Sequence, residues 1–377
     1  MYNLNRIILV NYYDDTSAAS VRVLSYANAY ARLGYFVELV LYAIDSTPVY
    51  ESCHSNIAIH ILKKPLYRSR IIRRIIQNTR VLGLIKSLYN IDSIIHIYDV
   101  PEYALFLPKK KYNVFFEVTE VPFFRENLKI YDRIKEQFKL TMSKKATGLL
   151  VISQSLKDFY INYGVQNVHV VNMFVDHARF DNIDEPIDDI VSYCGTISIN
   201  KDGVLDLINA FYLFSIQNPH FKLQLIGDFE NVEVKAAVDN IIKRLNLKDK
   251  ILITGRVSPN RIPSLLSSSR VLVLARPNNK QAAYGFPTKL GEYLATGRPV
   301  VVTKVGEIPN FLTDKYDCIF AQPDNYHDFA KQLNWVIDHY DRAIEIGKRG
   351  RRLSEDTFSS ISQVSHIINF INTLCVK

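Results

Sequence analysis

The residues best suited to chemistry lie in the stretch GFPTKLGEY, residues 285–293. Pro287 fits the loop or first turn before a helix. The N–H groups of Thr288, Lys289 and Leu290 are then expected to be unpaired donors at the positive end of the helix dipole. The ammonium of Lys289 adds a full positive charge. These features predict a place where an anion can bind.

Glu292 follows Thr288 by about one helical turn, on the side of the expected anion site. A carboxylate that pointed straight at a phosphate would repel it, but it could accept hydrogen bonds from both hydroxyls of a ribose. Gly285 lets the backbone turn close to such a ligand. The stretch is a candidate site for a molecule with phosphate and hydroxyl groups. The alternative is a tight loop with a capping or surface glutamate.

A second stretch, GTISINKDG at 195–203, also lies between a predicted strand and a predicted helix. Gly195 lets the backbone approach a ligand closely. Lys201 could place an ammonium on a phosphate, supported by free N–H groups at the helix start. The P-loop pattern and the G-x-G-x-x-G pattern are both absent. The alternative is that Lys201-Asp202-Gly203 forms a surface turn.

Two alternating series of strands and helices must position these residues. The first begins with a strand at 6–13, a helix at 18–34 and a strand at 35–44, an order typical of parallel sheets. The polar, acidic stretch 176–189 is typical of an interdomain linker. A second series follows from a strand at 190–197. The sequence therefore predicts an α/β fold with two Rossmann-like, doubly wound domains facing across a cleft.

The net positive charge of the chain comes entirely from its first half. Residues 1–180 hold 23 Lys and Arg against 15 Asp and Glu, a difference of +8, whereas residues 181–377 hold 23 of each. Between 63 and 90, basic residues alternate with Ile, Leu and Val at helical spacing. This pattern suits an anionic membrane surface or an acidic substrate, or an ordinary amphipathic helix with a solvated basic face. No nucleic-acid-binding motif accompanies the charge.

The remaining composition excludes several classes of protein. The four cysteines stand far apart, so neither a zinc site nor a disulfide framework is expected. No apolar run reaches the roughly 18–20 residues of a membrane span, and the N-terminal apolar run is too short for a signal peptide. We therefore expect a cytoplasmic protein whose membrane contact, if it has one, is peripheral. No D-x-D motif indicates a metal site.

Carboxylates also follow a predicted strand in the first series, in FFEVTEVPFFREN at 115–127. Glu117 and Glu120 are placed where cleft residues belong, and Thr119 or Glu120 could bind a sugar or accept a proton. The alternative is an ordinary acidic loop. Three histidines are candidates by residue type only, although two of them fall within strand patterns typical of core positions: His54, His60 and His96.

Several motifs, in this order, resemble the retaining family 4 glycosyltransferases of GT-B fold. They are IVSYCGTISINKDG, KLQLIGD, ILITGRV and YGFPTKLGEYLATGRPVVVTKVGEIP. The resemblance covers most of the chain and is strongest over about 148–325. It implies an acceptor-side domain at 1–175, a linker at 176–189 and a nucleotide-sugar-binding domain at 190–355. Residues 356–377 are expected to form a helix that packs back on the first domain.

The resemblance also implies roles for individual residues. Glu292 matches the second glutamate of the family's E-x7-E motif, which holds the nucleotide ribose. Lys201 matches the lysine that contacts the donor diphosphate, and Arg256 lies where a loop approaches the base, although a solvated surface arginine is the alternative. We therefore expect Lys201 and Glu120 to be catalytic. Donor sugar and phosphate are expected to contact the backbone at Gly285, Phe286, Pro287, Thr288 and Lys289.

The sequence departs from that family's pattern at three places. Tyr284 stands where the first glutamate of E-x7-E should be, which affects the contact with the donor sugar. Thr196 stands where an arginine is often paired with the lysine, so one phosphate contact is lost and Lys289 could replace it. The usual glycine-rich loop after the first strand is absent. Thr16 and Ser17 would approach the donor there.

The resemblance implies transfer of a sugar from a UDP- or GDP-sugar to a glycan or lipid-linked acceptor with retention, in the synthesis of a bacterial surface polysaccharide. It implies no metal and no cofactor other than the donor substrate. Two alternatives remain open. The chain could be a GT-B nucleotide-sugar epimerase, or a degenerate member that binds nucleotide or membrane without transferring sugar.

Overall fold

The computed structural model describes residues 4–13, 18–44, 54–122, 129–181, 183 and 185–375. The chain divides into two compact units. The first unit comprises residues 1–172 and 360–377, and the second comprises residues 173–359. Within the described ranges, no helix is both long and apolar enough to cross a bilayer.

The first unit is built on a seven-stranded parallel sheet in the order β3-β2-β1-β4-β5-β6-β7. Its central strands are continuous apolar runs, as expected for strands covered on both faces. The strands are β1 (Arg6–Tyr12), β2 (Phe36–Ile44), β3 (Ile57–Lys63), β4 (Ser93–Tyr98), β5 (Val114–Val118), β6 (Gly148–Val151) and β7 (Val168–Val170). The helices are α1 (Ala18–Arg32), α2 (Arg70–Leu88), α3 (Ile130–Ser143), α4 (Gln154–Asn162) and the C-terminal α14 (Ser360–Cys375), with a 3-10 helix at Pro101–Leu105.

The second unit is built on a six-stranded parallel sheet in the order β10-β9-β8-β11-β12-β13. The strands are β8 (Asp188–Cys194), β9 (Lys222–Ile226), β10 (Ile251–Gly255), β11 (Ser269–Leu274), β12 (Val300–Thr303) and β13 (Ile319–Ala321). The helices are α5 (Ile199–Asp202), α6 (Val204–Gln217), α7 (Val232–Arg244), α8 (Ile262–Ser267), α9 (Lys280–Tyr284), α10 (Thr288–Ala295), α11 (Ile308–Phe311), α12 (Tyr326–Asp338) and α13 (Tyr340–Thr357). Two 3-10 helices lie at His177–Phe180 and Pro259–Arg261.

The two alternating series predicted from the sequence correspond to these two sheets. The stretch 176–189, predicted as a linker, instead belongs to the second unit. Two side chains anchor it there, because Phe180 is buried and Arg179 pairs with a glutamate of α10. The last residues of the stretch, from Asp188, already begin β8.

A buried ionic network holds the centre of the first unit together. Nε of Arg22 in α1 donates to Oε1 of Glu117 in β5 over 2.7 Å, and Oη of Tyr26 donates to the same oxygen over 3.0 Å. The other carboxylate oxygen lies 3.3 Å from Nε2 of His96. Burial disfavours the charged form of Glu117, but Arg22 and the hydrogen bond with His96 hold its pKa below the usual range.

Replacing Arg22 with methionine is expected to lower the free energy of unfolding of the first unit by about 3–5 kcal/mol, because it leaves the Glu117 carboxylate buried without its cation. The combined variant Arg22→Met with Glu117→Gln should recover most of this loss, because no buried charge then lacks a partner. Denaturant unfolding followed by far-ultraviolet circular dichroism measures both. Equal stability of the wild type and the single variant would contradict the prediction.

Candidate functional site

The predicted site residues of the second unit lie at the carboxyl edge of its sheet. In the order β10-β9-β8-β11-β12-β13, the chain leaves β8 toward one side and returns on its other side with β11. Ligands of open α/β sheets bind at such a switch point, beyond the carboxyl ends of the strands. The loops that follow β8 and β11 are therefore the ones in which a site is expected.

The backbones of neighbouring loops touch at this edge. Gly195, directly after β8, and Gly227, directly after β9, have φ angles of 148° and 142°, which favour glycine. A Cβ atom on Gly227 would overlap the carbonyl oxygen of Gly195. The next loop joins them through an isolated bridge between Gly227 and Gly255. The three glycines therefore lie together at one edge of the sheet.

Lys201 lies on the short helix α5, just after β8. Oγ of Ser198 caps this helix by accepting a hydrogen bond from the backbone N–H of Lys201 over 3.1 Å. Gly203 ends it in the left-handed conformation with φ 64°. The side chain of Lys201 is exposed, whereas that of the next residue, Asp202, is buried. The segment is thus a capped helical turn with one cation at the edge of the sheet.

Lys289 forms an ion pair within the second unit. Its Nζ lies 2.5 Å from Oδ2 of Asp202 and 2.9 Å from Oη of Tyr193. The side chain of Asp202 is 1% exposed and that of Lys289 is 15% exposed. A Cβ atom on Gly195 would overlap the Lys289 ammonium, so the glycine makes room for the lysine. The cation predicted to face phosphate therefore already has an internal carboxylate partner.

Burial governs the protonation of this pair. Burial lowers the pKa of Lys289, and the attraction of Asp202 offsets this only in part. Burial also disfavours the charged form of Asp202, but Lys289 and then Arg276 hold its pKa below the usual range. The second carboxylate oxygen of Asp202, Oδ1, is buried and has no hydrogen-bond partner. The carboxylate is thus held charged among cations.

Three residues of this cluster were not predicted from the sequence as site residues: Tyr193, Asp202 and Arg276. Arg276 follows β11, is buried, and donates from Nε to the carbonyl oxygen of Lys201 over 3.3 Å. Its place directly after an apolar strand is the only sequence signal that could have indicated it. Lys289 and Arg276 act on the carboxylate of Asp202, and Lys201 is close enough to Lys289 to lower its pKa, so three cations gather at the switch point.

Helix α10 begins at Thr288, one residue after Pro287, as predicted. The backbone N–H of Leu290 is not free, because it donates to the carbonyl oxygen of Pro287 over 3.1 Å. The ring of Phe286 is buried and stacks on Phe311 at 5.3 Å between centroids. Only the backbone of Phe286 is therefore available to a ligand.

Glu292 is paired with an arginine from a distant part of the chain. Oε1 of Glu292 lies 2.6 Å from Nη1 of Arg179, and Nη2 of Arg179 donates to the carbonyl oxygen of Pro259 over 2.9 Å. Both side chains of the pair are partly exposed. The arginine fixes the carboxylate about one turn into α10, where the ribose contact is predicted.

The other predicted residues of the second unit surround this core of the site. Tyr284 is the last residue of α9, and the N–H of Gly285 donates to the carbonyl of Gln281 over 3.0 Å. Thr196 is exposed, and its carbonyl oxygen accepts a hydrogen bond from Oη of Tyr193 over 2.6 Å. Arg256, after β10, lies 3.7 Å from a carboxylate oxygen of Asp228.

The candidate site residues of the first unit lie in different environments. Glu120 is exposed just beyond the carboxyl end of β5, and its neighbour Thr119 lies 3.1 Å from Oη of Tyr98 through Oγ1. Glu117 is a core residue of the ionic network rather than a cleft residue. His96 is buried in the same network, as its strand position indicated. Thr16 and Ser17 lie outside the described residues.

His54 and His60 are held by contacts within the first unit. The side chain of His60 lies 2.7 Å from Oε2 of Glu38 through Nε2. Nδ1 of His54 accepts a hydrogen bond from the backbone N–H of Asn56 over 3.2 Å. Neither contact indicates a role in chemistry.

Part of the chain is similar to a known protein family and to curated enzymes. Residues 188–339 match the family model described as Glycosyl transferases group 1. Among curated proteins, the chain is 22% identical over 214 residues to MMP alpha-(1->4)-mannosyltransferase of Mycolicibacterium hassiacum, covering 56% of this chain and 50% of that protein. It is 25% identical over 182 residues to mannosylfructose-phosphate synthase of Agrobacterium fabrum, covering 46% and 38%. The matched region thus spans half or less of these relatives.

Solved structures of similar fold cover nearly the whole chain. Sucrose-phosphate synthase of Thermosynechococcus elongatus has a TM-score of 0.76 at 15% identity and covers 99% of both chains. HepE of Anabaena, in complex with UDP and glucose, has a TM-score of 0.74 at 13% identity and covers 98% of this chain and 99% of its own. The chain therefore has the GT-B fold of these structures, and its residues 188–339 are similar to the Glycosyl transferases group 1 model.

Proposed function

We propose that this protein is a glycosyltransferase that moves a sugar from a UDP- or GDP-sugar to a glycan or lipid-linked acceptor, with retention at the anomeric carbon. The observation that carries the proposal is the cluster of Lys201, Arg276 and Lys289 at the switch point of a sheet that matches a glycosyltransferase family. A group of cations at that position suits a diphosphate. The proposed setting is the synthesis of a bacterial surface polysaccharide.

In the proposed reaction the bond between the anomeric carbon and the diphosphate oxygen breaks, and its electron pair stays on the diphosphate. Fixed cations and N–H groups aimed at the phosphates stabilise the negative charge that develops. Lys201 and the start of α10 supply this stabilisation, and Arg276 takes the place of the arginine absent at Thr196. We propose that the reaction needs no metal and no cofactor besides the donor.

Related structures make a uridine nucleotide the first one to test. HepE was crystallised with UDP, with UDP and glucose, and with UDP-glucose. TarM of S. aureus, whose TM-score is 0.74 at 12% identity, was crystallised as a variant with UDP and alpha-GlcNAc-glycerol. These ligands belong to those proteins. They support the proposal that a nucleoside diphosphate binds this chain as well.

The acceptor side of the proposal rests on the first unit. Glu120 is exposed at the carboxyl edge of that unit's sheet, where it could bind the acceptor or receive its proton. We propose a cytoplasmic protein whose segment 63–90 makes peripheral contact with the inner face of the membrane. That location would suit a lipid-linked acceptor.

Calorimetry with UDP and with GDP, followed by hydrolysis assays on a panel of nucleotide sugars, tests the proposal. We expect one of the two nucleotides to bind and its sugar form to be hydrolysed slowly without acceptor. Release of an epimerised sugar nucleotide would identify an epimerase instead. Nucleotide binding without any turnover of the panel would favour a degenerate member, and binding of neither nucleotide would overturn the proposal.

Replacing Glu292 with alanine is expected to weaken binding of the nucleotide by about 10- to 100-fold, because a hydrogen bond to a charged group contributes about 1.5–3 kcal/mol. Titration calorimetry measures the change. Arg179→Ala is the matched control, since it breaks the same ion pair but keeps the carboxylate. Equal losses of affinity in the two variants would show that the pair is structural and would contradict a ribose contact.

A further inference from the structure

Two helices of the first unit expose apolar side chains near their N-termini. In α2, Ile71 is 73% exposed and Ile75 is 60% exposed; in α3, Ile130 is 75% exposed and Ile134 is 63% exposed. Each helix is buried mainly through its C-terminal half. The exposed set, called the apolar edge below, comprises Leu66, Tyr67, Ile71, Ile72, Ile75, Ile130, Tyr131 and Ile134.

The topology of the sheet places both helix starts on one face and at one edge. Parallel connections are right-handed, and the connections that contain α2 and α3 run in the same direction across the sheet, opposite to that of α1. Helices α2 and α3 therefore cover the same face. Each helix runs back from the carboxyl ends of the strands, so its first turns lie at the carboxyl edge of the sheet.

Contacts through the 3-10 helix Pro101–Leu105 tie the two helices together. On the side of α2, Oη of Tyr103 donates to Oδ1 of Asn78 over 3.1 Å. Helix α3 packs against the same 3-10 helix, and Nζ of its Lys139 lies 3.6 Å from a carboxylate oxygen of Asp99. The two exposed ends thus belong to one side of the unit.

The charge around the apolar edge is positive. Residues 63–90 contain eight Lys and Arg and no Asp or Glu. Four of the cations lie between the exposed apolar side chains of the α2 end: Arg68, Arg70, Arg73 and Arg74. Exposed isoleucines interleaved with arginines suit a surface that has an apolar interior beneath anionic groups.

We propose that the apolar edge binds an anionic lipid bilayer, with α3 inserted beside α2. The sequence pattern indicated membrane contact by 63–90 only, whereas the structure adds a second, separate helix to the surface. Because the N-terminal turns of α2 and α3 lie at one edge, their apolar side chains can contact the same bilayer surface. The inference extends the membrane contact proposed above for residues 63–90. Binding to lipid requires no sugar donor, so lipid binding and transferase activity can fail separately.

The same edge of the sheet carries Glu120. Its strand, β5, ends at the carboxyl edge, and α3 is the next helix along the chain. An acceptor with a lipid anchor in the bilayer would therefore present its head group on the side of the unit where Glu120 lies. The proposal thus places the lipid surface and the candidate acceptor residue at one edge.

Sedimentation of the full chain with phosphatidylcholine vesicles, with and without phosphatidylglycerol, tests the proposal. We expect binding to the mixed vesicles that weakens with salt. Replacing Arg70, Arg73 or Arg74 with glutamine should in each case lower the partition coefficient about fivefold. Ile130→Asp and Ile134→Asp should each lower it about tenfold or more, because an isoleucine is removed from the bilayer.

The matched control is Ile91→Asp, since Ile91 is 60% exposed but precedes β4 at the opposite edge of the same sheet. It should leave vesicle binding unchanged. The proposal fails if the wild type does not bind mixed vesicles at low salt, or if the α3 variants bind as well as Ile91→Asp. It also fails if the same variants abolish a self-association seen without lipid, which would assign the surface to a second copy of the chain.

Discussion

Replacing Asp202 with asparagine is expected to lower the free energy of unfolding of the second unit by about 3–5 kcal/mol. The substitution leaves the ammonium of Lys289 almost buried, without the carboxylate that pairs with it. The single tryptophan, Trp335, lies in the second unit, so its fluorescence during denaturant unfolding reports on that unit. Far-ultraviolet circular dichroism of the same samples follows both units together, so a transition seen by it and not by Trp335 fluorescence belongs to the first unit.

The matched control for this prediction removes the whole pair. The variant Asp202→Asn with Lys289→Met removes both charges of the ion pair and leaves only the more distant Arg276 affected, so much of the lost stability should return. If the two substitutions instead add their losses, the pair is not coupled and the description of the site is wrong. A diphosphate that binds beside Lys289 should also stabilise Asp202→Asn more than the wild type, because it supplies the missing negative charge.

Replacing Lys201 with alanine is expected to slow sugar transfer by about 100- to 1,000-fold, the usual cost of removing one fixed donor that stabilises developing charge. The affinity for the nucleoside diphosphate should fall by a smaller factor, because the ground state carries less charge at the leaving oxygen. Steady-state kinetics on the donor identified in the hydrolysis panel measure kcat and KM separately.

Lys304→Ala is the control for Lys201, because Lys304 is another exposed lysine at the same carboxyl edge, after β12 and away from the switch point. Its kcat should stay within about twofold of the wild type, as expected for a surface substitution outside the site. Similar losses in both variants would indicate a general field of positive charge at this edge. Unchanged transfer in Lys201→Ala would refute the role proposed for it.

The sequence predicted the two sheets because buried parallel strands are continuous apolar runs that end at glycine or polar residues. Helix α3 is absent from the predicted elements, and its apolar residues, unlike those of the strands, are not buried. Ile130, Ile134 and Phe138, spaced as on one helix face, are exposed rather than buried. Hydrophobic periodicity is interpreted as the buried face of a helix that packs on a core. Much of the apolar face of α3 is exposed to solvent instead.

The site was predictable residue by residue but not as a network. The residue types of Lys201, Lys289 and Glu292, and their places after strands, indicate a phosphate and ribose site. Their partners do not follow from the sequence, because Asp202 lies 87 residues before Lys289 and Arg179 lies 113 residues before Glu292. Only the order of strands in the finished sheet brings such residues together, and local pattern contains no record of it.

Helix α14 affects the order in which the two units can fold during synthesis. It belongs to the first unit, where it packs against α1 and where its Phe370 lies 4.9 Å from the ring of His169 and 6.0 Å from that of Phe115. Residues 173–359 leave the ribosome as one complete unit, whereas the unit begun first lacks this helix until residues 360–375 have also been made. The second unit can therefore finish folding first, and a ribosome that stalls before residue 360 releases a first unit with its aromatic rings uncovered.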